Sequence, residues 1–83
     1  MSFQIFIFKS FHNKTITLEV NSNTTVKELY NQISTKIGIP SKFIYLIYSA
    51  KVISDLNKSI DFYNIEKEST LHLHFRNYNS KFL

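Results

Sequence analysis

The chain has 83 residues, a formal net charge of +4 and no cysteine, so disulfides and thiolate metal sites are excluded and a small apolar core must stabilise the fold. Its 43% hydrophobic content, with one glycine and one proline, excludes a linker or low-complexity segment. No apolar run approaches the roughly 18 residues of a membrane span, and no signal-peptide pattern follows Met1. We therefore expect one soluble domain, located in the cytoplasm, the nucleus or both.

The first two predicted elements are strands joined in a hairpin. Residues 3–8 read FQIFIF, and because both faces are apolar, periodicity does not decide which face is buried. Residues 14–20 alternate cleanly between polar and apolar side chains, as in a strand with one buried face. In the turn between them, Asn13 is the residue best able to adopt a positive φ angle without being glycine.

A single helix follows. Thr25 and Glu28 have the spacing of a capping box, in which each side chain accepts a hydrogen bond from the other residue's backbone amide. The apolar positions that follow at helical spacing are Val26, Leu29, Ile33 and Ile37. Gly38 and then Pro40 end the helix.

The second half is predicted to supply the remaining strands. Residues 43–48 (FIYLIY) and the short segment 51–53 are separated by a turn at Ser49 and Ala50, and one helical turn is expected near residues 59–63. Residues 70–76 alternate, with leucines and a phenylalanine on one side and two histidines and an arginine on the other. We predict an α+β domain at residues 1–76, in which one main helix packs across a mixed sheet of four to five strands. Residues 77–83 are predicted to be a loose tail.

Several blocks of this sequence resemble ubiquitin. They are KTITLEV at residues 14–20, GIP at 38–40, LIY at 46–48 followed by Lys51, and YNIEKESTLHL at 63–73. Because they occur in the right order, from about Gln4 to Arg76 with one extra residue between Asp55 and Ile60, the chain is identified as a divergent member of the ubiquitin-like β-grasp family. The resemblance implies a core composed of Phe6, Phe8, Ile16, Leu18, Val20, Val26, Leu29, Ile33, Leu46, Ile53, Ile60, Ile65, Leu71 and Leu73.

The resemblance also implies a partner-binding surface on the exposed face of the sheet. Its expected members are Phe11, Ile47, His72 and His74, with Ala50 beside them and Arg76 nearby; Ile5 and Ile7 are further candidates for exposed apolar residues. Ile47 and His72 match the family, whereas Phe11 and His74 depart from it. Tyr45 replaces a family arginine that helps docking to the activating enzyme, while Arg76 keeps the neighbouring one.

The end of the chain departs most from the family pattern. Conjugated members of the family finish in two glycines, which fit the narrow channels of the conjugating machinery. Residues 77–83 read NYNSKFL without glycine, so we expect a protein-interaction module that is not conjugated through this end. A modifier whose native chain extends beyond Leu83 or is processed remains the alternative. Lys14, Lys51 and Lys67, with Lys9 and Lys36, match family positions that accept modification.

Other kinds of function have less support. The sequence contains no motif for catalysis or phosphate binding, and we expect no enzyme, no cofactor and no metal. Zinc binding by His12, His72 and His74 is a disfavoured alternative to exposed rings at an interface, because no carboxylate or thiolate completes the site. Protonation of these histidines would instead give the surface charge on acidification. RNA binding through Lys42, Lys51, Arg76 and Lys81 is a further alternative, but the basic residues are dispersed and a nucleic-acid partner is disfavoured. The expected partners are proteins with ubiquitin-binding domains, including proteasome subunits, and the chain is expected to be monomeric.

Overall fold

The computed structural model describes residues 1–76, so the tail predicted at residues 77–83 lies outside the described part of the chain. The strands are β1 (Ser2–Lys9), β2 (Lys14–Asn21), β3 (Ile44–Tyr48), β4 (Lys51–Val52) and β5 (Thr70–Phe75), and the helix is α1 (Val26–Ile37). Short 3₁₀ turns occupy Ser41–Phe43 and Ile60–Tyr63. The predicted elements are thus found in the predicted order, except that Phe43 belongs to a 3₁₀ turn and not to β3.

The five strands form one mixed sheet in the order β2-β1-β5-β3-β4. Strand β5 is the central strand; it runs parallel to β1 and antiparallel to β3. Helix α1 packs against one face of this sheet, which we call the inner face, and the opposite face is the outer face. One helix across a five-stranded mixed sheet confirms the predicted β-grasp α+β class.

The ends of α1 follow from the local sequence. The Thr25 hydroxyl accepts a hydrogen bond from the Glu28 amide at 3.1 Å, and the Glu28 carboxylate accepts one from the Thr25 amide at 2.8 Å. At the other end, Gly38 has a φ angle of 75°, a left-handed conformation that glycine adopts without a Cβ clash. Both features confirm the predicted helix boundaries. Within residues 1–76, no helix is long and apolar enough to cross a membrane.

Strand β1 differs from the prediction. Ile5 and Ile7 are fully buried, whereas Phe6 and Phe8 are only half-buried. The assignment of the two phenylalanines to the core, and of the two isoleucines to the surface, was therefore wrong.

The physical reason for this difference is the register of the hairpin. Four residues, 10–13, connect the paired ends Lys9 and Lys14, and Asn13 has the predicted positive φ angle, 50°. This register places Ile5 opposite Leu18 and Ile7 opposite Ile16. Directly opposed residues share a face of the sheet, so the isoleucines must join the apolar side of β2.

The core also contains residues that the sequence analysis did not assign to it. Tyr30 and Ile44 are buried, whereas Ile16 is only half-buried against the core. The Tyr30 hydroxyl donates a hydrogen bond to the Ile53 carbonyl at 2.7 Å and accepts one from the Leu46 amide at 3.0 Å. Burial raises the pKa of Tyr30, although its hydrogen bond with the Leu46 backbone acts in the opposite direction. The phenol therefore remains protonated at neutral pH and ties the helix to β3 and to the segment after β4.

The β1 register predicts that truncating two adjacent side chains will lower the free energy of unfolding by different amounts. Ile7→Ala should lower the free energy of unfolding by about 2–5 kcal/mol, since it leaves a cavity in the core. Phe6→Ala removes a larger side chain, but from a half-buried position on the outer face, so it should cost less than about 2 kcal/mol. Urea denaturation followed by circular dichroism measures both values. A larger loss for Phe6→Ala than for Ile7→Ala would contradict the register.

Candidate functional site

The outer face of the sheet contains a row of side chains that crosses four strands. Pairing places Phe8 of β1 opposite His72 of β5, His72 opposite Ile47 of β3, and Ile47 opposite Val52 of β4. We call these four residues the central row. Phe8 and Ile47 are half-buried, His72 is exposed, and Val52 is 45% exposed. Three apolar side chains and one imidazole therefore form a continuous strip that is accessible to a partner.

The phenylalanine of this row is in contact with the histidine. The ring centroids of Phe8 and His72 lie 5.8 Å apart at an interplanar angle of 77°, the edge-to-face arrangement that aromatic rings favour. This contact holds the imidazole against an apolar neighbour. Phe8 was not among the predicted site residues, because the sequence analysis had assigned it to the core.

A second group of side chains flanks the central row. Tyr45 of β3 lies opposite His74 of β5, and their rings stack with centroids 5.3 Å apart and an interplanar angle of 19°. The guanidinium carbon of Arg76 lies 5.1 Å from the Tyr45 ring centroid, within the range of a cation–π contact. The cation therefore lies beside the apolar strip, where it could pair with a carboxylate of a partner.

Phe11 lies in a different environment from the one expected. Its ring centroid is 4.1 Å from that of Phe75 and 4.6 Å from that of His12, and it packs against the core. Phe75 alternates with the outward His72 and His74 along β5 and so faces the other side. Phe8, not Phe11, supplies the aromatic ring next to His72.

The other predicted residues lie at the edges of the outer face or away from it. Ala50 is exposed in the β3–β4 turn, where it and Ser49 have positive φ angles of 65° and 55°. Lys51 begins β4 beside this turn, Lys14 begins β2, and Lys67 lies in the loop before β5. All three lysines are exposed, as an accessible amine would have to be, and nothing in the structure distinguishes them further.

The arrangement of the titratable groups bears on the possible chemistry. His12 contacts Phe11, whereas His72 and His74 contact Phe8 and Tyr45. Among residues 1–76, no three histidine or acidic side chains come together in a metal-binding arrangement. The outer face thus presents an apolar strip, aromatic ring pairs and a flanking cation.

Comparison with known proteins agrees with this architecture. The family model described as "Ubiquitin family" matches residues 5–78. The chain belongs to the ubiquitin family. It is 34% identical over 65 residues to Ubiquitin-like protein 1 of Schizosaccharomyces pombe. It is 31% identical over 65 residues to NEDD8-like protein RUB3 of Arabidopsis thaliana. Each match covers 78% of this chain and 82% of the relative.

The positions of the two phenylalanines in this ubiquitin-family chain can be tested by NMR. Ring currents shift the resonances of neighbouring protons, so Phe8→Ala should move the imidazole signals of His72 and leave those of His12 in place. Phe11→Ala is the matched control and should move the signals of His12 instead. Proton–carbon correlation spectra of the aromatic region report both variants. A shift of His72 in Phe11→Ala, without one in Phe8→Ala, would show that the assignment of the neighbours is reversed.

Proposed function

We propose that this member of the ubiquitin family is a non-catalytic interaction module, recognised by proteins with ubiquitin-binding domains, including proteasome-type receptors, through the outer face of its sheet. The single observation that supports this most is the central row, in which Phe8, His72, Ile47 and Val52 lie side by side across four strands. A contiguous exposed apolar strip is typical of a partner surface, whereas single exposed apolar residues need no explanation.

The composition of the outer face fits reversible recognition. An aliphatic or aromatic anchor of a receptor would pack on Ile47 and Phe8, and its binding would gain mainly from removing apolar surface from water. Arg76 is held against Tyr45, so a carboxylate at the edge of the receptor could pair with it. Arginine and aromatic residues are the types that contribute most at protein interfaces.

The surface should also discriminate among receptors. His74 and Tyr45 form a stacked aromatic pair next to the apolar strip. Stacked rings present a wider and flatter contact than single aliphatic side chains. We therefore propose that the chain binds a subset of ubiquitin-binding domains, those with a planar or acidic group opposite this pair. The proposed location of these encounters is the cytoplasm or the nucleus.

Ile47 is the residue to test. Ile47→Ala removes aliphatic surface from the middle of the central row and should weaken binding of a ubiquitin-binding helix by at least about tenfold, which corresponds to about 1.4 kcal/mol. Phe62→Ala is the matched control, because Phe62 is 58% exposed but belongs to the Ile60–Tyr63 turn. Isothermal titration calorimetry with a panel of ubiquitin-binding domains measures both affinities. Equal affinities of Ile47→Ala and the unchanged protein for every domain that binds would refute the proposed surface.

We further propose that a chain ending at Leu83 is not conjugated through its C-terminus. The proposal is supported by the residues present there, none of which is glycine, since a Cβ atom obstructs a channel shaped for a diglycine. With ATP and activating enzymes of the ubiquitin family, the chain should form no thioester, whereas ubiquitin itself should form one. Detection of a thioester by non-reducing electrophoresis would instead favour the alternative function, a modifier.

A further inference from the structure

A cleft of about 360 Å³ opens at the end of the sheet where β5 leaves it. Its walls come from the first half of α1, the Ser41–Phe43 turn and the loop after β4. This volume lies in the range of sites that hold a ligand or a few side chains of a peptide. The cleft is separate from the central row, and Arg76 lies at the boundary between the two surfaces.

The charge in this cleft has one sign. Lys27, Lys42 and Arg76 all line it, and among the described residues, 1–76, no aspartate or glutamate does. Within residues 1–76, no carboxylate forms an ion pair with any of these three cations. Three like charges around one cleft produce a positive potential that attracts anionic groups.

The nearest acidic residues in the sequence are engaged elsewhere. Glu28 follows Lys27, but its carboxylate accepts a hydrogen bond from the Thr25 amide at 2.8 Å, as part of the helix cap. Asp55 lies between two lining residues, but its carboxylate accepts a hydrogen bond from the Asn57 amide at 3.2 Å. Both carboxylates keep their negative charge, but neither lines the cleft.

Apolar surface accompanies this charge. Tyr30 and Ile44, both buried, and Leu56, which is 48% exposed, line the same cleft. The hydroxyl groups of Ser41 and Ser54 are also among its lining groups and can donate hydrogen bonds to an oxygen acceptor. The cleft thus combines an aliphatic wall with cations and neutral donors.

Hydrogen bonds hold the walls of the cleft in place. The Lys27 amide donates to the Leu56 carbonyl at 3.2 Å, and the Val26 amide donates to the Lys58 carbonyl at 2.8 Å. The Arg76 amide donates to the Phe43 carbonyl at 2.6 Å, which ties the end of β5 to the Ser41–Phe43 turn. A site whose walls are already ordered loses less conformational entropy when a ligand binds.

We propose that this cleft binds an acidic peptide segment of a protein partner, with an aliphatic side chain against Leu56 and carboxylates paired with Lys27, Lys42 and Arg76. A small inorganic anion would use the cations alone and leave the exposed aliphatic wall in water. A segment in which acidic residues flank an aliphatic residue uses both features. This site is additional to the outer face, and neither its existence nor its test depends on the function proposed for that face.

The test is a titration of the full chain with a fluorescently labelled peptide, Asp-Asp-Leu-Asp-Asp, blocked at both ends. The peptide should bind, and its affinity should fall as salt is raised from 50 to 300 mM, because exposed ion pairs are screened. The double variant Lys27→Glu with Lys42→Glu should weaken binding at least tenfold. Since Lys27 lies in the first turn of α1, the negative charge of a glutamate there interacts favourably with the helix dipole. The variant should therefore remain folded.

Two control variants test whether the loss of peptide affinity is specific to the cleft. One changes the net charge elsewhere, and the other changes the outer face. Lys14→Glu with Lys67→Glu changes the net charge equally at exposed positions outside the cleft and should leave peptide affinity within twofold. Ile47→Ala should also leave the peptide affinity within twofold.

When the peptide is added to the unchanged protein, the backbone amide resonances of Asn31, Ser41 and Ser54 should shift in the NMR spectrum.

The proposal would be overturned by absence of binding or by equal affinity for a peptide in which every aspartate is replaced by asparagine. Equal loss in the two double variants, or shifts centred on Ile47 and His72, would also overturn it. Tighter binding of a single-stranded oligoribonucleotide in the same cleft would overturn the peptide assignment.

Discussion

The outward surface of this protein depends on the register between β1 and β2. A strand has a side-chain period of two, so a shift of one residue would exchange every side chain between the two faces. The observed register pairs Ile5 with Leu18 and Ile7 with Ile16, which places the isoleucines in the core and the intervening phenylalanines on the outer face. A shifted hairpin would bury Phe8 and remove it from His72.

Strand β5 joins the outward side chains of β1 and β3 into one continuous surface. Because it lies between β1 and β3, its outward residues have neighbours on both sides. His72 thereby touches Phe8 across one pair of strands and lies opposite Ile47 across the other. The same strand ends in Arg76, whose guanidinium lies over Tyr45. Three segments that are distant in the sequence form the surface, and the central strand determines their alignment.

The proposed outer-face site and the basic cleft would use different chemistry. The central row offers apolar surface with one imidazole, so contacts there gain mainly from burial and should depend weakly on salt. The cleft offers three cations and one exposed leucine, so binding there should weaken as salt increases. Because Arg76 contributes to both surfaces, a partner that contacts its guanidinium could extend from one surface to the other.

Much of the fold was predictable, because the determinants are local. The capping box at Thr25 specifies where α1 begins, since it satisfies free amides of the first turn. Gly38 specifies where α1 ends, since it adopts the left-handed conformation that terminates the helix. The clean alternation of residues 14–20 and 70–76 identified strands with one buried face. Asn13 was expected in the hairpin turn because its short polar side chain tolerates a positive φ angle. Ile47, His72 and His74 were likewise expected on the exposed face, and the structure places them there.

The face of β1 could not be determined in this way. Its sequence FQIFIF offers apolar residues to both sides of the sheet, so no periodic signal favours one of them. Knowing that four residues connect Lys9 to Lys14 would identify the inward positions of β1. The sequence alone does not show where the pairing of β1 with β2 stops. The basic cleft could not be predicted from a local pattern either, because Lys27, Lys42 and Arg76 are far apart in the sequence. By itself the sequence determined the elements, the family resemblance and most of the outward residues of β3 and β5. Only the tertiary structure decided which side of β1 faces outward and which cations meet, because strand register and the packing of distant segments depend on contacts that no local pattern encodes.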